Sequence, residues 1–253
     1  MIDLAVVLAA GNGSRLRHHV SETHKALIPI GGEPILMRNC RLLDEIGVTQ
    51  IIVVSGYRGE ELRAALAEFK SLNATLTFVE NERWDLSNGL SVLAAADRLD
   101  RNYLLLMADH LFSPSLLETM AYVDPGENGV VLAIDRKLDS IYDMDDATKV
   151  VVAGDQIVEI GKELVDFNAV DTGIFACSSA LAKSLQSVEA HKGDCSLTDG
   201  MRTLAAMGCF RGFDIEDAWW QDVDTPGALA HGRMLLKKHL IEADRLALVQ
   251  HEA

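Results

Sequence analysis

Apolar and polar positions follow two alternating periods along the first half of the chain. Short runs rich in β-branched residues alternate with stretches in which apolar residues recur at helical spacing. The predicted strands are Leu4–Leu8, Gln50–Val54, Thr75–Val79 and Tyr103–Met107, and the predicted helices are Pro34–Ile46, Gly59–Phe69 and Asn88–Leu99. Strands that alternate with helices predict βαβ units and an α/β fold with a mainly parallel sheet, covered by helices on both faces.

The pattern changes after about residue 110. Strand-like runs now follow one another closely, at Gly129–Ile134, Lys149–Val152, Gln156–Ile160 and Val170–Ala176. The tripeptide Ala153-Gly154-Asp155 predicts a hairpin turn, so we expect added antiparallel strands that cover the first half. A helix at 226–248 closes the chain. Because no segment rich in Pro, Gly or Ser separates these parts, we expect one domain over residues 1–253, with halves at about 1–110 and 111–230.

Charge and composition narrow the classes of function. The formal net charge of −15 disfavours non-specific binding to nucleic acids and to anionic membranes. The apolar run Leu4–Ala10 is too short to span a bilayer and follows no basic segment, so it predicts neither an anchor nor a signal peptide. The four cysteines form no CxxC pair, which favours reduced thiols in a cytoplasmic protein.

A glycine-containing loop directly after the first predicted strand is the first candidate for chemistry. It reads Leu8-Ala9-Ala10-Gly11-Asn12-Gly13-Ser14-Arg15-Leu16, and Lys25 follows nine residues later. Glycines let a backbone approach a triphosphate closely, and Arg15 and Lys25 can donate charge-assisted hydrogen bonds to its oxygens. The spacing matches neither a dinucleotide-binding fingerprint nor a Walker loop, and from the residues alone a plain strand-to-helix turn stays open.

Three aspartates stand at the ends of extended segments. Asp109 follows the strand Tyr103–Met107, and residues at the carboxyl ends of strands in an open α/β sheet face the ligand crevice. Asp222 and Asp224 alternate along an extended segment, so both can face one cation, and carboxylates suit Mg²⁺. A helix cap for Asp109 and a solvated acidic turn for the other two stay open. Four histidines match no ligand motif and are expected to have no metal role: His18, His19, His24 and His110.

The N-terminal residues resemble a known family. Leu-Ala-Ala-Gly-x-Gly-x-Arg-Leu, followed by Lys-Ala-Leu-Ile-Pro-Ile-Gly-Gly-Glu-Pro-Ile-Leu, resembles the signature of the nucleotidyltransferases that make activated sugars and alcohols. The resemblance implies a Rossmann-like nucleotidyltransferase fold whose first half binds an NTP and whose second half binds the acceptor. It implies nucleotide contacts from Leu8, Ala9, Ala10, Gly11, Asn12, Gly13, Asn88, Gly89 and Ser91. It implies catalytic roles for Arg15, Lys25, Asp109 and Asp224, and Mg²⁺ held by Asp109, Asp222 and Asp224. For the Asn88 segment, a simple helix start capped by Ser87 stays open.

Three motifs of the second half resemble the cytidylyltransferases that act on inositol 1-phosphate, which are often fused to a membrane lipid synthase. They are Asp145-Asp146-Ala147-Thr148-Lys149-Val150, Glu159-Ile160-Gly161-Lys162 and Asn168-Ala169-Val170-Asp171-Thr172-Gly173-Ile174-Phe175. The resemblance implies CTP as the donor and acceptor contacts from Lys149, Glu159, Lys162, Asp171, Thr172 and Gly173. Solvated strand positions for the lysines and ordinary acidic loop residues for Asp145 and Asp146 stay open.

The sequence therefore predicts Mg²⁺-dependent transfer of CMP from CTP to a small phosphorylated alcohol, with release of pyrophosphate. A phosphonate (2-hydroxyethylphosphonate or 2-aminoethylphosphonate) and phosphocholine are alternative acceptors. A choline site needs an aromatic cage, for which Trp84, Tyr142, Phe167, Trp219 and Trp220 are available. An Asp-x-Asp glycosyltransferase and a non-catalytic nucleotide-sensing module are the other classes. We expect no nucleic-acid or membrane partner, and a homo-oligomer is compatible with the sequence.

Overall fold

The computed structural model describes residues 1–13, 16, 23–69 and 72–251, with side chains up to residue 242. The strands of this part are β1 (Leu4–Ala9), β2 (Pro29–Ile30), β3 (Glu33–Pro34), β4 (Gln50–Ser55), β5 (Thr75–Glu80), β6 (Tyr103–Met107), β7 (His110–Phe112), β8 (Val130–Asp135), β9 (Lys149–Ala153), β10 (Gln156–Gly161), β11 (Ala169–Cys177), β12 (Phe210–Asp214) and β13 (Trp220–Asp222). The α-helices are α1 (Ile35–Glu45), α2 (Gly59–Ala67), α3 (Gly89–Ala94), α4 (Pro114–Tyr122), α5 (Ala180–Lys192), α6 (Leu197–Ala206) and α7 (Pro226–His251). Short 3₁₀ helices lie at Lys25–Leu27, Ala96–Arg98 and Leu138–Ser140.

Nine strands form one mixed sheet in the order β5-β4-β1-β6-β11-β8-β12-β10-β9. The strands of the first half pair in parallel, β4 with β5 and β1 with both β4 and β6. In the second half β11 runs antiparallel to β6 and to β8, and β9 pairs antiparallel with β10 across the hairpin turn that the sequence predicts. The expected α/β sheet with added antiparallel strands is therefore confirmed.

Both faces of the sheet are buried, as the continuous apolar sequence of β1 requires. Leu4, Val6 and Leu8 enter one hydrophobic cluster, which includes residues of α3, α5 and α6. Ala5, Val7 and Ala9 alternate to the opposite face and enter a second cluster with residues of α1, α2 and α4. The result is a sheet between two layers of helices. Loops at the carboxyl edge of this sheet carry the polar side chains.

A small ladder outside the main sheet brings two distant parts of the chain together. β7 and β13 pair antiparallel, with Phe112 opposite Trp220 and His110 opposite Asp222. Leu111 of β7 and Val223, which follows β13, pack with residues of α7 in a third hydrophobic cluster. The ladder therefore fixes the segment that follows β6 against the segment that precedes α7.

One predicted element differs in form. The helix predicted at Asn88–Leu99 consists of α3 and a separate 3₁₀ helix, Ala96–Arg98. The amide of Ala95 bonds to the carbonyl of Val92, three residues back, so the α-helical ladder tightens at this point and does not continue. Across the part of the chain with described side chains, none of the helices has both the length and the apolar character that crossing a bilayer demands.

Candidate active site

Lys25 lies between two carboxylates at the carboxyl edge of the sheet. Its Nζ forms ion pairs with Oδ2 of Asp109 and with Oδ1 of Asp224. The Lys25 side chain is only 11% exposed, and the two carboxylates are 27% and 17% exposed. Three of the residues predicted to carry catalysis therefore meet in one partly buried cluster, although they come from three distant parts of the sequence.

Backbone pairing explains why the two aspartates meet. Asp109 follows β6 and immediately precedes β7, and its carbonyl accepts a hydrogen bond of 3.0 Å from the amide of Val223. Val223 itself follows β13, so the β7–β13 ladder continues by one more bond beyond its last residue pair. Asp224 comes next in the chain and is thereby held beside Asp109.

The two carboxylate oxygens of Asp109 have different partners. Oδ2 faces Lys25, and Oδ1 lies 2.7 Å from Nδ1 of His110. Burial by itself raises the pKa of Asp109, but the Lys25 ammonium and the His110 imidazole outweigh it and hold the pKa well below its usual range. Asp109 is therefore a carboxylate at neutral pH, ready to act as an acceptor or a metal ligand.

The ring of His110 is enclosed on several sides. It stacks on Trp220 with ring centroids 5.8 Å apart and on Phe112 at 6.0 Å. Nδ1 also lies 3.9 Å from Oδ1 of Asp222. Burial lowers the pKa of His110, but the carboxylates of Asp222 and Asp109 more than compensate, and the pKa lies above the ordinary value. His110, for which we expected no metal role, thus lies in contact with Asp109 and close to Asp222.

Lys25 is held in place by its neighbours in the chain and by the glycine loop. It begins the 3₁₀ helix Lys25–Leu27, which His24 caps by accepting a hydrogen bond of 3.1 Å from Ala26 N at Nδ1. Burial lowers the pKa of His24 to about 4, so this acceptor stays neutral. A Cβ on Gly13, whose φ is +56°, would lie 2.8 Å from Cβ of Lys25. The second glycine of the loop thus permits close packing on the lysine stem.

The predicted nucleotide segments differ in how open they are. After β1, a Cβ on Gly11 would meet nothing within 4 Å among the described atoms, so none of the described side chains covers the loop backbone there. Asn88 lines the large cleft described below, and its Oδ1 accepts from Leu197 N at 2.9 Å. Gly89 instead serves packing, since a Cβ there would lie 2.6 Å from the Cys195 carbonyl, and Ser91 is buried. Of the remaining predicted residues, Arg15 lies outside the described residues.

The alternative of a helix start capped by Ser87 is not what the structure contains. Ser87 binds the carboxylate of Asp194 through both its amide and its hydroxyl, at 3.1 and 2.8 Å. The residue directly before α3 is Asn88, and its side chain makes no capping bond to that helix. The segment is therefore tied to the α5–α6 connection, beside the cleft.

The acidic side chains form two overlapping groups that suit a cation. Carboxylate oxygens of Asp146, Asp222 and Asp224 lie within 4.8 Å of one another, and so do ligand atoms of Asp109, His110 and Asp222. Oxygen-rich sets of this kind match the preference of Mg²⁺ and similar hard cations. The three aspartates predicted as metal ligands are thus adjacent, and Asp146 from the second half joins them.

A cleft of about 550 Å³ extends from this cluster into the second half. Among its lining residues are Asp109, Asp224, Lys162 and Asp171. Lys162 is half exposed and pairs with Asp146 at 2.9 Å. Asp171 accepts from Gly173 N at 2.7 Å, and burial raises its pKa to about 6. These predicted acceptor residues therefore face the same space as the predicted metal ligands.

Three predicted acceptor residues have other surroundings. Lys149 is buried, and its Nζ donates to the carbonyls of Asp145 and Lys162 at 3.1 and 2.9 Å, so it ties two loop segments together. Glu159 is exposed on β10 and, in the part of the chain that is described, is not among the residues that line the cleft. The hydroxyl of Thr172 is buried and donates to Ala133 O at 2.8 Å. In the structure Lys149 and Thr172 therefore have structural contacts and Glu159 faces solvent, and acceptor contacts from these three side chains stay a prediction.

Other polar residues shape the site without having been singled out in the sequence. Arg38 and Asn39 of α1 are buried and donate to the carbonyls of Phe112 and His110, at 3.0 and 2.9 Å. Asp135 at the end of β8 accepts from the indole of Trp220 at 3.0 Å. The sequence did contain a signal for Arg38 and Asn39, because both are polar residues within the apolar stripe of a helix, where an unpaired polar group is costly.

Comparisons with known proteins show which proteins this chain resembles. A family model described as "MobA-like NTP transferase domain" matches residues 5–202. The chain is 31% identical over 239 residues to the bifunctional IPC transferase and DIPP synthase of Thermococcus kodakarensis, a match that covers 94% of this chain and 51% of that protein. It is 35% identical over 226 residues to the protein of the same description from Rubrobacter xylanophilus, covering 88% and 49%. The chain thus spans about half the length of these curated relatives.

A solved structure extends the likeness to the fold. The structure of the inositol-1-phosphate CTP transferase from T. maritima matches with a TM-score of 0.78 and 28% identity, covering 90% of this chain and 91% of that one. The family match includes Lys25 and Asp109, while Asp222 and Asp224 lie beyond its end. Because the match spans well over half of the residues and the fold agrees, the chain belongs to the family of MobA-like NTP transferase domains.

Proposed function

We propose that this protein is a cytidylyltransferase that transfers CMP from CTP to a small phosphorylated alcohol similar to inositol 1-phosphate and releases pyrophosphate. The observation that carries the proposal is the convergence of Lys25, Asp109 and Asp224 beside the glycine loop, where the two aspartates also line the cleft. The similarity over nearly the full chain to an inositol-1-phosphate CTP transferase supports the choice of donor and acceptor.

The basic residues of the first half serve the triphosphate in this proposal. The approachable backbone at Gly11 can donate amide hydrogens to phosphate oxygens, and the ammonium of Lys25 adds a charge-assisted bond. Lys25 is neutralised by Asp109 and Asp224 in the free protein. A triphosphate gives the same ammonium a competing anionic partner, so we expect Lys25 to turn toward the nucleotide when it binds. Arg15 keeps its proposed role on the phosphates.

The acidic residues serve a magnesium ion. Asp109, Asp222 and Asp224 are the proposed ligands. Ligand atoms of Asp222 lie within 4.8 Å of those of Asp109 in one acidic group and of Asp224 in the other, and carboxylate oxygens suit Mg²⁺. Once bound there, Mg²⁺ supplies charge neutralisation at the phosphate that is transferred. The protein's own contribution is to hold the carboxylates at one place, through the β7–β13 ladder and the bond from Val223 to Asp109.

The lining of the cleft suits an acceptor that carries both a phosphate and hydroxyl groups. Lys162 and Lys137 line it and can pair with a phosphate, while Asp143, Asp171 and Asp217 can accept hydrogen bonds from hydroxyls. This mixture of cations and acceptors favours a phosphorylated polyol. Of the aromatic residues considered for a choline cage, Tyr142, Trp219 and Trp220 line the cleft.

Those three aromatic rings are already occupied on one face. Tyr142 stacks on His231 at 4.6 Å between centroids, Trp219 on His239 at 4.9 Å, and Trp220 on His110. A quaternary ammonium needs several open ring faces arranged around it. The stacking therefore favours the polyol phosphate over phosphocholine.

The proposed chemistry requires little from a general base. The acceptor phosphate is already anionic, and one of its oxygens attacks the α-phosphorus of CTP while the bond to pyrophosphate breaks. Alignment of the two anions and neutralisation of their charge then account for catalysis. Lys162 is the proposed clamp for the acceptor, and Lys25 and Arg15 stabilise the charge of the departing pyrophosphate.

A pyrophosphate-release assay tests this proposal. The purified protein is incubated with Mg²⁺, each NTP, and a panel of inositol 1-phosphate, phosphocholine, 2-aminoethylphosphonate and 2-hydroxyethylphosphonate. We expect acceptor-dependent release with CTP and inositol 1-phosphate. Asp109→Asn serves as the inactive control, and Lys183→Ala, an exposed lysine on α5, as the unaffected one. Release that does not depend on any acceptor, or that is equal for all of them, would contradict the proposal.

A further inference from the structure

The ring of His110 packs directly against the backbone of Gly173. The φ of Gly173 is +81°, and a Cβ built there would lie 2.6 Å from Cδ2 and 2.8 Å from Nε2 of His110. The register of β11 against β8 shifts between Asp171 and Phe175, so the strand bulges where the ring packs. Glycine thus meets two demands at this position, a left-handed backbone and the absence of a side chain.

The ring is also fixed from its other sides. Trp220 and Phe112 stack near it, with interplanar angles of 14° and 24°. The carbonyl of His110 accepts a hydrogen bond of 2.9 Å from Asn39 Nδ2, which anchors the backbone as well. An imidazole that is held this firmly presents Nδ1 in one direction, toward Oδ1 of Asp109 at 2.7 Å.

The consequence for Asp109 is a fixed carboxylate. With Oδ1 held by His110, Oδ2 is the oxygen directed to Lys25, whose ammonium also pairs with Asp224. Without that bond the carboxylate could rotate about its last torsion, which has a broad energy profile. Hydrogen-bond partners behind a metal ligand commonly fix its orientation, and their loss typically lowers metal affinity or activity about 10- to 100-fold.

We propose that His110 is a positioning residue: its ring, packed against Gly173, orients the carboxylate of Asp109 for the nucleotide and metal site. The inference rests on the proposed function, because it takes Asp109 to serve that site. It assigns no contact between His110 and the substrate. It also gives the glycine of the Asp-Thr-Gly motif a role that differs from the acceptor contact predicted from the sequence.

Two substitutions of His110 separate positioning from bulk packing. In His110→Asn the amide nitrogen has the same bond separation from Cβ as Nδ1, and in His110→Gln it has that of Nε2. We expect Mn²⁺ alone, titrated into the protein by calorimetry, to bind His110→Asn within about threefold of wild type and His110→Gln about tenfold more weakly. The kcat for CTP turnover should fall in the same order, with a smaller change in the KM for the acceptor.

Gly173→Ala supplies a second, independent perturbation, because it removes no polar group. The added methyl must displace the ring, so its Mn²⁺ affinity should fall as in His110→Gln, and the double variant His110→Gln/Gly173→Ala should be no worse than His110→Gln alone. Urea midpoints identify variants that have lost their fold. If Gly173→Ala does not fold, the two His110 variants decide the matter.

Several results would overturn the inference. An equal loss of Mn²⁺ affinity in His110→Asn and His110→Gln would indicate that the imidazole is itself a metal ligand. Wild-type Mn²⁺ affinity in His110→Gln would show that the ring does not position Asp109. Absence of Mn²⁺ binding by the wild-type protein would remove the site that the ring is proposed to serve. The proposed function has a separate readout. A wild-type protein that binds Mn²⁺ but transfers no CMP to the acceptor panel contradicts that function, while the Mn²⁺ series still decides the role of His110.

Discussion

Replacement of Lys25 by methionine removes the ammonium that joins Asp109 to Asp224 and leaves the aliphatic stem that packs against Gly13. Loss of one partner of a fully buried ion pair costs about 3–5 kcal/mol in the free energy of unfolding. Both carboxylates keep some solvent contact, at 27% and 17% exposure, so we expect a smaller loss of about 1–3 kcal/mol. Lys162→Met is the matched control, since Lys162 is half exposed and has one partner, Asp146, so its loss should cost at most about 1 kcal/mol.

The two variants should also differ in catalysis. A lysine that stabilises charge in the transition state contributes roughly 2–4 kcal/mol, or about 30- to 1000-fold in rate. Lys25→Met should therefore lower kcat by such a factor and weaken CTP binding measured by calorimetry without acceptor. Lys162→Met should leave CTP binding nearly unchanged, raise the KM for the acceptor and lower kcat. Lys162→Arg should restore only part of this, because a planar guanidinium differs from an ammonium in reach and geometry.

Urea denaturation, calorimetry and steady-state kinetics on the wild-type protein and these three variants test both expectations. The assignment of the two lysines is wrong if Lys162→Met impairs CTP binding as much as Lys25→Met does, or if it leaves the acceptor kinetics untouched. Equal urea midpoints for wild type and Lys25→Met would contradict the structural part, that is, the coupling of two carboxylates through one ammonium.

Asp109→Ala and Asp224→Ala should each abolish most turnover while the protein stays folded, since Lys25 keeps the remaining carboxylate as a partner. Losses of kcat that multiply in the double variant would instead indicate two independent sites. The donor should be CTP, and a kcat/KM for ATP or GTP equal to that for CTP would refute this. His24 is neutral when folded, with a pKa of about 4, so its contribution to stability is complete above the unfolded value of about 6.5 and is lost as the pH falls from there toward 4. By this linkage His24 alone should contribute a loss of about 2 kcal/mol at a pH of about 5. His24→Asn, which keeps an acceptor for Ala26 N, should lack that part of the pH dependence in urea titrations, and identical pH profiles for the two proteins would contradict it.

Much of the fold could be predicted because the main strands have long, regular patterns. The strand Tyr103–Met107 has the predicted bounds, and the hairpin at Gly154 forms as expected. The elements that the sequence did not reveal are short or weakly patterned. β7 and β13 have three residues each, which is too few to show a period of two, and they are defined by pairing with each other across more than a hundred residues of chain.

The same limit applies to the site. Lys25, Asp109 and Asp224 could be singled out because residue type and position in the pattern agreed with the resemblance. The surroundings of Lys149 could not be predicted, because a lysine at a strand start can point to solvent or turn back to carbonyls, and only the fold brings the Lys162 carbonyl within reach. The seating of His110 on Gly173 likewise depends on a bulge in a strand that is distant in sequence.

The product made from CTP and inositol 1-phosphate tests the proposed transfer of CMP most directly. ³¹P NMR of the reaction mixture, followed by intact mass of the purified product, distinguishes transfer from hydrolysis. We expect pyrophosphate and, in equal amount, a product in which CMP is joined to the acceptor phosphate through a new P–O–P linkage. Formation of CMP and unchanged inositol 1-phosphate, or no consumption of CTP when Mg²⁺ and acceptor are both saturating, would contradict it.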